Sequence, residues 1–117
     1  MNNDLDRAAD SPDRSSPLVA LKHDLAANRG NPRGALAVTG FRLAQLARLR
    51  LPRPIAKVAE LAYAFAWLAL LGLELPPHVE AGPGLAIFHT SGIVVNPATR
   101  LGSRVTWRQN STLGALE

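Results

Sequence analysis

Leu75-Pro76-Pro77-His78-Val79-Glu80-Ala81-Gly82-Pro83-Gly84-Leu85-Ala86-Ile87 opens a stretch that repeats with a period of six. Leu75, Ala81 and Ile87 are six apart, and so are Val95, Leu101, Trp107 and Leu113. A small or turn-forming residue follows most of them: Gly82, Asn96, Gly102 and Gly114. Four positions after the first six repeat residues stand Val79, Leu85, Ser91, Thr99, Val105 and Ser111. A fixed short period is the mark of a repeat architecture. Here it predicts a triangular prism in which each hexad supplies one short strand and one corner. The repeat residue points inward and fills the core. The small residue beside it turns the corner, where Gly or Asn best tolerates a left-handed backbone. Three hexads close one coil, and coils stack by parallel pairing. The period slips by two residues between Ile87 and Val95, at His89-Thr90-Ser91-Gly92. That slip marks an extra-long corner, a place to present a side chain.

Upstream of Gly72 the pattern is helical. Ser16-Pro17 reads as an N-cap followed by proline in the first turn, and Gly30 and Pro32 stop the segment. A helix over 17–28 follows, with Leu18, Leu21 and Leu25 at helical spacing. A second helix is predicted over 34–50. Its apolar face is Leu36, Phe41, Leu43, Leu46 and Leu49, with Arg42, Gln45, Arg48 and Arg50 opposite. Pro52 and Pro54 break it. A third runs over 55–71 and is apolar nearly all round after Lys57 and Glu60. Such a helix needs burial against other material, and so short a chain cannot enclose it alone. Oligomerisation is the expectation. The organisation is therefore a disordered polar leader at 1–16, a helical assembly region at 17–73 and hexad repeats at 74–117.

The totals narrow the function classes. The chain has 117 residues, enough for one ordinary domain, at 47% hydrophobic and 19% charged. It has no cysteine, which removes disulfides, thiol nucleophiles and thiolate metal sites. Net charge is +4 from eleven arginines and two lysines against nine acids, and the basic residues are scattered. No nucleic-acid motif accompanies them, so nucleic acid is not an expected partner. The first residues lack a secretory pattern. The uncharged apolar run Leu61–Leu73 is short for a bilayer span. A cytoplasmic protein without a membrane span is expected.

Gly84-Leu85-Ala86-Ile87-Phe88-His89-Thr90-Ser91-Gly92-Ile93-Val94-Val95-Asn96-Pro97 resembles the catalytic stretch of the serine O-acetyltransferases. Leu101-Gly102-Ser103-Arg104-Val105-Thr106 and Gln109-Asn110-Ser111-Thr112-Leu113-Gly114 resemble the coil that follows it there. Asn28-Arg29-Gly30-Asn31-Pro32 and Phe41-Arg42-Leu43-Ala44 are similar to the helical part of one branch of that family. The resemblance implies an α+β fold, in which a helical N-terminal region is followed by the first coils of a left-handed parallel β-helix. It implies a trimer or dimer of trimers with active sites between neighbouring β-helices. It also implies acetyl transfer from acetyl-CoA, a co-substrate, to L-serine, the entry to cysteine synthesis.

Carried over by position, His89 takes the place of the catalytic base, and Glu74, fifteen residues earlier, that of its acidic partner, where aspartate is usual. Histidine suits the role because its pKa lies near operating pH, and a carboxylate fixes its tautomer. No bound cofactor and no metal is expected. The residue before the histidine is Phe88, where typical serine enzymes have aspartate. That departure favours a sugar or polysaccharide hydroxyl as the alternative acceptor. The family pattern runs through more coils than fit before Glu117. A shortened, non-catalytic assembly module is therefore a further alternative.

Overall fold

The computed structural model describes residues 16–108 and 112–113. Three helices lead into seven short strands. Helix α1 is Pro17–Ala27, α2 is Pro32–Arg50 and α3 is Arg53–Leu71. The strands are β1 Leu73–Glu74, β2 Glu80–Ala81, β3 Ala86–Ile87, β4 Ile93–Val95, β5 Arg100–Leu101, β6 Thr106–Trp107 and β7 Thr112–Leu113. The fold is α+β. The expected leader, apart from Ser16, and the repeat positions at 109–111 and 114 lie outside the described residues.

Local chemistry sets the helix ends. The Ser16 hydroxyl accepts from the Leu18 amide, capping α1 with proline behind it. Asn31 caps α2, its side chain accepting from the Gly34 amide. The second helix thus begins at Pro32 rather than Gly34, because proline is pre-set for the first helical turn. The break between α2 and α3 falls at 51–52, and for the same reason α3 begins at Arg53, with Pro54 in its first turn, rather than at Ile55. Gly72 ends α3 in the left-handed conformation, φ 68°, where a Cβ would be penalised.

The strands form three parallel ladders, β1-β4-β7, β2-β5 and β3-β6. Glu74 pairs with Val94, Ala81 with Leu101 and Ile87 with Trp107, each twenty residues on. Val95 pairs with Leu113, eighteen residues on. Eighteen is three hexads, and twenty is three hexads plus the two-residue slip. Every pair of twenty spans 88–92 and the pair of eighteen does not, so the slip in the sequence is the slip in the ladder.

Burial follows the hexads. Leu75, Ala81, Ile87, Val95 and Leu101 are all buried, together with Val79 and Leu85. Leu73 and Ile93 are buried too, while Glu74 and Val94 between the inward positions face out. Trp107 is half-buried against this core.

The helices do not present the expected faces. In α2 the buried residues are Gly34, Ala37, Val38, Phe41, Arg42 and Ala44, and Leu36, Leu43 and Leu49 are exposed. In α1, Ala20 and Asp24 are buried and Leu18 and Leu25 are exposed. The cause lies in the strands. Strands β1, β2 and β3 each pair on one side only, and their other edges leave backbone groups that must be paired. Polar side chains of α1 and α2 pair them.

Asp24 Oδ1 accepts from the Gly84 and Leu85 amides at 2.9 and 2.8 Å. Asn28 donates to the Leu85 carbonyl at 2.9 Å and accepts from the Ile87 amide at 3.0 Å, as a neighbouring peptide would. Asn31 donates to the Ile87 carbonyl at 2.7 Å. Arg42 donates to the Ala81 and Gly82 carbonyls, and Gln45 to that of Val79. Arg42 and Asp24 are also joined by a buried ion pair of 2.6 Å. Gly34 lets this cap close: a Cβ there would collide with the Asn28 and Asn31 side chains and the Ile87 carbonyl. Among the described residues, no buried side-chain nitrogen or oxygen lacks a partner.

Helix α3 joins the core by one face. Tyr63, buried, donates its hydroxyl to the Leu75 carbonyl at 2.6 Å, and burial pushes its pKa up, so it stays a donor. Trp67 packs on Gly40 and donates to the Ala37 carbonyl at 3.3 Å. Tyr63→Phe strands the buried Leu75 carbonyl and is expected to cost about 1–3 kcal/mol, read from the midpoint of urea unfolding. The opposite face is not enclosed: Val58, Leu61, Phe65 and Leu68 are exposed. By length and composition alone α3 could cross a membrane.

Candidate functional site

The long corner, residues 88–92, lies between β3 and β4. It is pinned from three sides. The Phe88 amide donates to the Trp107 carbonyl at 2.8 Å. Thr90, buried, donates its hydroxyl to the Leu71 carbonyl at 2.8 Å. The Gly92 amide donates to the Gly72 carbonyl at 2.9 Å. The corner is thus fastened to the C-terminal end of α3, and the residue between the fastenings, His89, stands exposed.

His89 has φ 59°, in the left-handed region. Arg104, in another corner, has φ 58°. The conformation is therefore part of how this chain turns corners, and it does not single out His89. What does single it out is position: it occupies the inserted corner, with Phe88 half-buried beside it and the Arg108 guanidinium 5.5 Å above the Phe88 ring. That contact holds a cation near the corner.

Glu74 lies on β1, exposed, in register with Val94. The structure does not bring it into contact with His89: no hydrogen bond or ion pair joins the two. Glu74 instead lines an apolar groove of about 550 Å³ with Leu61, Phe65, Leu68 and Pro97. Glu74 on β1 and His89 after β3 do not form a pair. His78 is exposed, and its Nδ1 lies 3.6 Å from the Glu60 carboxylate. Among the described residues, no group of three or more His, Cys, Asp or Glu gathers as a metal site would require.

No family model and no curated protein sequence matches this chain. The reading of the corner rests on its own geometry and on the resemblance of 84–97.

The residues that sequence reasoning missed are Asp24 and Arg42. They bear on the site by holding the segment that leads into β3, Arg42 at Ala81 and Gly82 and Asp24 at Gly84 and Leu85. Their signal was present as Asp24, Asn28 and Asn31, spaced four and three apart on one face of the α1 segment and its exit. A polar stripe of that spacing reads as a solvated face unless a bare strand edge is known to lie opposite.

Proposed function

We propose that this chain is an acetyl-CoA-dependent O-acetyltransferase, with L-serine as first acceptor and His89 as the base. The reading extends the ladders to a left-handed parallel β-helix, and the partners to a homotrimer or dimer of trimers with the acceptor cleft between neighbouring copies. One observation carries it: the two-residue slip in an otherwise regular ladder raises an exposed histidine on a corner fixed by three hydrogen bonds, from the Phe88 and Gly92 amides and the Thr90 hydroxyl. The resemblance of 84–97 to the serine O-acetyltransferases supplies the chemistry.

In this mechanism the imidazole takes the proton of the acceptor hydroxyl as the oxygen attacks the thioester carbonyl. The tetrahedral intermediate collapses, the C–S bond breaks, and the imidazolium returns its proton to the departing CoA thiolate. Glu74 is the proposed orienting carboxylate. Catalytic hydrogen bonds are often unmade in an empty site and tighten only with substrate, so Glu74 would engage His89 once the cleft closes.

Phe88 favours a second acceptor class. It removes the carboxylate that would meet a polar amino acid and leaves an aromatic surface suited to the face of a sugar. The test is CoA thiol release from acetyl-CoA with L-serine and, separately, with hexoses and N-acetylhexosamines. Release that requires L-serine supports the first reading. Release only with sugars transfers the proposal to a sugar O-acetyltransferase. No release with any acceptor contradicts both and favours a non-catalytic assembly module.

A further inference from the structure

Helix α3 presents two features together. Its outer face carries Val58, Leu61, Phe65 and Leu68, spaced three, four and three apart on one side. Phe65 is 76% exposed and Val58 67%. Around the helix's start stand Arg48 and Arg50, in the last turn of α2, and Arg53 and Lys57, in the first turns of α3, all exposed and, among the described residues, without a side-chain ion pair or hydrogen bond. Three of these, Arg48, Arg53 and Lys57, line one cavity of about 710 Å³ with Glu60 and His78.

We propose that α3 docks flat on an anionic lipid bilayer, its apolar stripe in the headgroup–acyl boundary and its basic end on lipid phosphates. This inference stands apart from the acetyl-transfer reading. The charge decides the occupant. A second copy of the chain could cover the stripe, but its described residues have little to offer the basic end. Among the described residues, Asp24 is buried on Arg42, Glu80 is bonded to Arg100, and Glu60 faces His78, which leaves Glu74. An anionic bilayer meets both features at once, as amphipathic interfacial helices with basic residues do.

The fold dictates the flat orientation. Tyr63 and Trp67 tie the inner face of α3 to the Leu75 and Ala37 carbonyls. Crossing the bilayer would strip those bonds. Lying in the interface keeps them, with the apolar face immersed by about 5–10 Å.

The test is co-sedimentation of the full chain with vesicles of phosphatidylcholine alone and of equal parts phosphatidylcholine and phosphatidylglycerol. Binding is expected only with the second, weakening as salt rises. The triple variant Arg50→Glu, Arg53→Glu, Lys57→Glu is expected to lose about a hundredfold or more in partitioning, since each basic residue contributes about a factor of five at an anionic surface. Leu61→Glu with Phe65→Glu should abolish binding while far-ultraviolet circular dichroism stays unchanged, because both side chains are exposed. Binding indifferent to phosphatidylglycerol or to charge reversal overturns the proposal. So does the absence of vesicle binding with a self-assembly that Leu61→Glu and Phe65→Glu disperse, which would give the stripe to a second copy.

Discussion

Asp24→Ala is expected to destabilise the fold by about 3–5 kcal/mol, the usual cost of removing one partner of a buried ion pair. The side chain is fully buried, and one carboxylate serves three groups: the Arg42 guanidinium and the amides of Gly84 and Leu85. Alanine leaves a buried cation uncompensated and two amides unpaired. For a domain whose total stability is on the order of 5–15 kcal/mol, that is a large fraction. Arg42→Ala should fall in the same range, because it strands Asp24 and the carbonyls of Ala81 and Gly82. The double variant should cost less than the two singles added, since each single leaves the other's charge buried. Urea unfolding at fixed protein concentration measures all three. A loss under about 1 kcal/mol for Asp24→Ala would place the pair in the range of exposed ion pairs and contradict the capping role.

His89→Ala is expected to lower acetyl transfer by about a hundredfold to ten-thousandfold, the usual worth of a positioned general base. A second variant separates chemistry from fold. Alanine at φ 59° carries a conformational penalty that glycine does not. His89→Gly should therefore hold the corner at least as well as histidine, with its anchors at Phe88, Thr90 and Gly92 intact, and still lose the activity. Equal losses in the two variants, with His89→Gly melting no lower than the parent chain, would assign the effect to the imidazole. Activity retained in His89→Gly would remove His89 as the base.

How much of this could be read from the chain depends on the kind of signal. The hexads were legible because inward residues at a fixed spacing are a one-dimensional property. Leu75, Ala81, Ile87, Val95 and Leu101 are buried as their period requires, and the slip at 88–92 reappears as a register of twenty against eighteen. The inner faces of α1 and α2 were not legible. Leucine periodicity pointed to Leu18, Leu25, Leu36 and Leu43, which are exposed, whereas Asp24, Asn28 and Arg42 are buried. Hydrophobic pattern assumes that the surface opposite is apolar. Here it is a strand edge rich in unpaired carbonyls and amides, and hydrogen-bonding capacity decides the face. Of the site, the corner could be located from the slip, whereas His89 as its base came from the resemblance of 84–97. The relation of His89 to Glu74 could not, because fifteen residues of separation give no direction to either side chain.

The most direct test is CoA release from acetyl-CoA in the presence of L-serine, with the parent chain and His89→Gly assayed side by side and their melting temperatures matched. Serine-dependent release by the parent chain and its loss in the variant is the expected result. Equal release from both proteins, or none from the parent chain with any hydroxyl acceptor, would contradict a histidine-based O-acetyltransferase at this corner.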